Sequence, residues 1–151
     1  MQLSIPLAVG IGGCAGALFR FYISTAVSRA VGHELAFLGT LAVNLIGCFL
    51  IGVLAIVTIR TAHLSPYAQK LLITGVLGSL TTFSTFAVDS LNLLQDGRLG
   101  AAMGNVLMNV LAGVLLVWLG ILLAETVFSQ TAVDQSESHK PGPETVSESE
   151  L

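Results

Sequence analysis

The chain has 151 residues, of which 54% are hydrophobic and only 10% charged, and its mean hydropathy is +0.86. Soluble domains carry roughly 25% charged residues, so a water-facing globule is excluded, and a disordered chain is excluded by the hydrophobicity. What remains is an integral membrane protein with the length of one small domain.

Charges are absent from residues 1–19, 35–59, 71–88 and 99–124. A membrane-crossing helix needs about 20 mostly apolar residues. The pattern therefore predicts an all-α membrane protein with four transmembrane helices, at roughly 3–28, 35–59, 69–94 and 99–126.

In the first segment, Ile11-Gly12-Gly13-Cys14 has the look of a lipoprotein cleavage box. No Lys or Arg precedes it and the apolar run continues past it, so it reads as part of a spanning helix. Gly13, Gly16, Ala17, Arg20 and Ser24 follow helical spacing, and Gly12 and Gly16 form a G-x-x-x-G pair. Small residues allow helices to approach closely in lipid. Arg20 lies well inside the segment. Intramembrane charge defaults to a functional-site hypothesis, although a long side chain can also snorkel to an interface.

The second segment places Thr40, Asn44, Gly47 and Cys48 at i, i+4, i+7 and i+8. An amide in hydrocarbon must find partners, so Asn44 faces another helix or a polar track. Cys14 and Cys48 both lie in apolar segments and are expected to be buried free thiols. No Cys-x-x-Cys or His cluster points to a metal; His33 and His63 fall in loops and His139 in the tail.

The third segment departs most from an ordinary lipid-facing helix. Ser79, Thr81, Thr82, Ser84 and Thr85 crowd into seven positions, just after Gly75 and Gly78. Glycine and clustered hydroxyls weaken helix continuity, which predicts a break near the bilayer middle. Non-helical backbone at that depth must be buried in protein or line a water-filled path, and freed carbonyls there can hold a cation. Phe83 and Phe86, spaced i, i+3, share a helix face. Aromatic ring edges are electropositive, so two edges beside hydroxyls and an amide suit a small anion. Asp89 is nearer the segment end and is expected at the interface.

On the fourth segment, Asn105, Asn109, Ala112 and Gly113 repeat the spacing of the second. Two amides at i, i+4, with Asn44 opposite, read as a polar track. Beyond it, residues 129–151 hold five acidic residues against Lys140, whereas residues 1–128 hold five basic and four acidic. The Ser/Glu-rich tail cannot bury enough apolar surface to fold. The expected organisation is a four-helix transmembrane domain at 1–128 and a disordered acidic extension at 129–151.

Four crossings put both termini and the second loop on one side, with Arg60 and Lys70, and the other two loops opposite, with Arg29 and Arg98. Two basic residues against two give the positive-inside rule little to act on. Dual topology, with copies inserted both ways, follows; a single orientation set by Arg20 stays open.

Three blocks together resemble a known family. G-G-x-x-G-A-x-x-R-[FY] is matched by Gly12 to Phe21, G-T-L-x-V-N-x-x-G-x-F by Gly39 to Phe49, and G-x-x-T-T-F-S-T-F from Gly78 to Phe86. The chain resembles the CrcB/Fluc family of fluoride channels over about residues 3–125. The resemblance implies an antiparallel, dual-topology homodimer in the inner or plasma membrane, with two pores along the interface and passive export of F⁻ that lowers cytoplasmic fluoride. It implies a structural Na⁺ held by the backbone carbonyls of Gly78 and Thr81 of both subunits. It implies a pore lined by the ring edges of Phe83 and Phe86, by Asn44, by the hydroxyls of Ser84 and Thr85, and by Asn109, with Arg20 near the vestibule. Asn105 and Asn109 stand where many members carry Ser or Thr. Fluoride, lipid and a second copy of the chain are the implied partners, with no enzyme activity and no nucleic acid. The nearest rival is a small multidrug-type cation/proton exporter, which relies on a first-helix carboxylate; this first segment carries Arg20 and no acid.

Overall fold

The computed structural model describes residues 4–60 and 64–138; His63, His139 and Lys140 lie outside the described residues. All regular structure among the described residues is helical. Helix α1 is Ser4–Val31 and α2 is Phe37–Arg60. The third span, Pro66–Gln95, consists of α3 (66–80) and α4 (Phe83–Gln95). Helix α5 runs over 99–138. Ser4–Val31, Phe37–Arg60, Pro66–Gln95 and Leu99–Gln130 are each long and apolar enough to cross a membrane.

The limits follow local chemistry. The third span starts earlier than its apolar run because Ser65 caps it: Ser65 Oγ accepts from the Ala68 N–H at 3.2 Å, with Pro66 as first helical residue. Helix α4 stops in a left-handed glycine turn. Gly97 has φ +72°, its N–H donates to Leu94 O, and Arg98 N–H reaches back to Leu93 O at 2.8 Å. Arg98 Nη1 then donates to Glu34 O at 2.6 Å, which ties the third connection to the first at one end of the bundle. Helix α5 continues past residue 129, where the tail was expected to begin, as far as Ser138; residues 139–151 are outside the described residues.

Two helix pairs carry the packing, α1 on α3 and α2 on α5. Glycine makes each possible. A Cβ at Gly12 would collide with Leu71 O, one at Gly16 with Val76 O, one at Gly52 with Val117 O and one at Gly120 with Phe49 O. Backbones this close leave no room for a side chain between them. A small core of Val43, Leu77 and Leu80, flanked by Ile23, Ile51 and Leu54, joins the two pairs. In lipid such contacts stabilise through dispersion rather than removal from water.

Cys14 corrects one expectation. It is exposed on the chain surface, while Cys48 is half-buried; both are free thiols. Cys14 lies two residues from Gly12, about 200° around the helix, so the face that packs Gly12 and Gly16 against α3 turns Cys14 away.

Candidate functional site

The centre of the third span is not helical. The helix ends at Leu80; Thr81 (φ −79°, ψ 152°) and Thr82 (φ −148°, ψ 107°) are extended; α4 begins at Phe83. Residues 81 and 82 lie midway along Pro66–Gln95. Gly47 on α2 makes space here, since a Cβ on it would overlap the Thr81 methyl Cγ2.

Side chains take over the backbone bonding. Asn44 Oδ1 accepts from the Thr82 N–H at 2.8 Å, and Asn44 Nδ2 donates to Thr82 O at 3.3 Å. The amide thus pairs with Thr82 as a neighbouring strand would. Thr82 Oγ1 caps α4 by accepting from the Thr85 N–H at 3.3 Å, and bonds the hydroxyls of Thr85 at 2.9 Å and Ser84 at 3.4 Å. In a continuous helix the N–H groups of Thr82 and Thr85 would bond the carbonyls four residues earlier. Those carbonyls belong to Gly78 and Thr81. Both have therefore lost their helical donors, one to Asn44 and one to the cap.

From Asn44 the bonds run on across α5. Asn44 Nδ2 donates to Asn109 Oδ1 at 2.9 Å. Asn109 Nδ2 donates to Asn105 O at 2.9 Å and Asn105 Oδ1 at 3.1 Å. Asn109 sits in a π-helical stretch, Met108–Ala112, of α5. Asn105 Nδ2 donates to Ser90 Oγ at 2.9 Å, and Ser90 Oγ donates to Phe86 O at 2.8 Å. The amide hydrogens of Asn44 are thus both committed within the chain.

Beside the break, Asn44, Gly47, Cys48, Gly78, Thr81 and Phe83 help to line an open groove of about 350 Å³. Phe83 and Phe86 meet edge to face, centroids 5.4 Å apart at 62°. They differ sharply in exposure: Phe83 is 80% exposed and Phe86 8%. Ser84 and Thr85 are exposed, and Arg20 on α1 is half-buried and outside this chain of bonds.

Gly78, Thr81, Phe83, Phe86, Asn44, Ser84, Thr85 and Asn109 are therefore gathered around one locus, and Asn105 joins them. Ser90 is the member that sequence reasoning passed over. Its signal was there: Thr82, Phe86 and Ser90 fall at i, i+4 and i+8 and form one buried stripe. Asp89 lies elsewhere, lining a cavity of about 480 Å³ with His33, Glu34, Asp96 and Arg98. Its Oδ2 is buried and has no hydrogen-bond partner among the described residues.

Comparison with known proteins identifies the family of the chain. Residues 7–121 match the family described as CrcB-like protein, Camphor Resistance (CrcB). The chain belongs to the CrcB family. A relative from Hydrogenovibrio crunogenus, named fluoride-specific ion channel FluC, is 43% identical over 123 residues, covering 82% of this chain and 92% of that protein. Relatives of the same name from a Sulfurovum species and from Geotalea daltonii are 41% and 44% identical, over 85% and 79% of this chain and 99% and 95% of theirs. Membership of the CrcB family, with four apolar spans, makes the chain a multi-pass membrane protein.

Proposed function

We propose that this chain is a fluoride channel that works as an antiparallel homodimer in the inner or plasma membrane, letting F⁻ leave the cytoplasm passively down its electrochemical gradient. One observation carries the reading. At the centre of an apolar span, Gly78 and Thr81, whose carbonyls lack helical donors, and the exposed Phe83 line a groove at the chain surface, with the exposed residues Ser84 and Thr85 next in sequence. Polar backbone at that depth cannot face lipid. A second copy covering the groove satisfies this constraint, and the near balance of loop charges supports insertion both ways round.

In this reading Ser84 and Thr85 supply hydroxyl donors, and the ring edges of Phe83 and Phe86 supply positive quadrupole edges. Together they replace part of the ion's water shell while holding it weakly enough to leave. Asn44 and Asn109 border the path and hold the break open. Arg20 attracts the anion towards the vestibule. The Gly78 and Thr81 carbonyls fit a structural Na⁺, since both are hard oxygen donors freed from helical bonding; bound there with the same carbonyls of the second copy, the ion would supply a fixed positive charge at the centre.

Purified protein in liposomes loaded with fluoride is the test. When a potassium ionophore balances the charge, fluoride efflux is expected, with chloride retained. No fluoride release, or chloride passing equally well, overturns the proposal.

A further inference from the structure

The hydrogen-bond chain leaves α4 and returns to it. It departs from Thr82, crosses to Asn44 on α2, passes along Asn109 and Asn105 on α5, and comes back at Ser90 and the Phe86 carbonyl. Its anchor points on α4 bracket both phenyl rings. Its returning half is the more deeply buried: Asn105 is 2% exposed and Ser90 8%. Along this route the donors run from the Thr82 N–H to the Phe86 carbonyl, so each bond polarises the next, while Asn44 Nδ2 also donates back to Thr82 O.

We propose that Asn105 and Ser90 are positioning residues that set the depth and rotation of the Phe86 ring, and through it Phe83, in the ion path. The inference rests on the channel reading above for its functional consequence, but not for its geometry. Without this anchor, α4 keeps its cap, its C-terminal turn and apolar packing such as that of buried Leu93, but loses the side-chain hydrogen bond that fixes the turn carrying Phe86. Rotation by one helical position turns a side chain by about 100°, and sliding by one position moves it about 1.5 Å. Either change takes ring edges off a small ion. Asn105–Ser90 is the direct side-chain tie from α5 to the turn that carries Phe86. Neither residue touches the groove, so each acts through the ring rather than on the ion.

The test compares Ser90→Ala, Ser90→Thr and Asn105→Ala in full-length protein. The first removes the hydroxyl, the second keeps it, and the third removes the amide that donates to it. Two readouts are taken: fluoride efflux from liposomes, and the ¹⁹F resonance of 4-fluorophenylalanine incorporated at position 86. Ser90→Ala and Asn105→Ala are expected to lower efflux about three- to twenty-fold, the equivalent of one interhelical hydrogen bond in a membrane, and to shift or split the ¹⁹F line. Ser90→Thr is expected to keep both near native. An unmoved ¹⁹F line in the alanine variants, even with lower efflux, overturns the positioning role and leaves the pair to stability alone. Ser90→Thr as perturbed as Ser90→Ala also overturns it, as does native efflux with a split line. If Asn105→Ala does not fold, the two Ser90 variants decide. If native protein moves no fluoride, the channel reading fails while the ¹⁹F comparison still tests the geometry.

Discussion

Asn44→Leu removes the amide that holds the break while keeping nearly the same shape. Three hydrogen bonds go: to the Thr82 N–H at 2.8 Å, to Thr82 O at 3.3 Å and to Asn109 Oδ1 at 2.9 Å. Interhelical bonds in membrane proteins average about 0.6 kcal/mol each, so the three amount to about 2 kcal/mol. Orphaning buried groups would cost about 1–3 kcal/mol apiece, but two of the three partners have an escape. Thr82 O keeps a 3.5 Å bond from the Phe86 N–H, and Asn109 is only half-buried. The Thr82 N–H, in a residue 7% exposed, has none unless the backbone returns to a helical turn onto Gly78. The lower figure therefore governs, and it acts specifically against the extended geometry. About 2 kcal/mol is about a 30-fold change in an equilibrium constant. Liposome efflux is expected to fall by that order, with the Thr82 amide changing its hydrogen-exchange protection. Native efflux together with native exchange at Thr82 would refute the reasoning. Asn44→Asp separates geometry from charge: its carboxylate still accepts from the Thr82 N–H, so the break persists while the negative charge suppresses anion flux.

Phe83→Ile is expected to cut fluoride efflux with little change in melting, because a ring 80% exposed in the chain contributes little to its fold; equal efflux would remove Phe83 from the path. Gly47→Ala drives a methyl into Thr81 Cγ2, and overpacking of this kind costs about 1–3 kcal/mol. Its melting temperature and efflux should drop together, and native values for both would mean that α2 yields freely there. Gly97→Ala puts a Cβ on a left-handed residue at φ +72°, a cost of about 1–2 kcal/mol. It should lower thermal stability while efflux from the folded fraction stays native, since the turn is remote from the break; a selective loss of efflux would contradict that separation.

The four spans could be read from the sequence because charge-free runs and the length of a bilayer-crossing helix leave few alternatives. The inward stripes could be read too, since Thr40, Gly47, Asn105 and Gly113 fall at helical spacing and are all buried. The density of Gly, Ser and Thr over 75–86 drew attention to the stretch in which Thr81 and Thr82 are extended. What spacing could not convey was allocation. Nothing in an i, i+4 pair of asparagines says that the Asn44 amide hydrogens are already taken, or that Asn105 bonds Ser90. Nor could the i, i+3 rule separate Phe83 from Phe86. They share a helix face, yet Phe83 is the first residue after the break and projects outward, while Phe86 is one turn in and covered by neighbours. The extension of α5 to Ser138 escaped notice because its polar residues carry no apolar period.

Where Gly12, Gly16, Gly52 and Gly120 meet the opposing helix, the atoms in the way are carbonyl oxygens, which cannot swing aside as a side chain does. Each seam therefore has one permitted residue out of twenty. Exposed positions such as Leu115 and Trp118, both more than half exposed, carry no such constraint from within the chain. Two rigid slabs result, and the short helix α4, bonded to its neighbours through amides and hydroxyls rather than fused to them by glycine, is the piece whose alignment a single polar substitution can change.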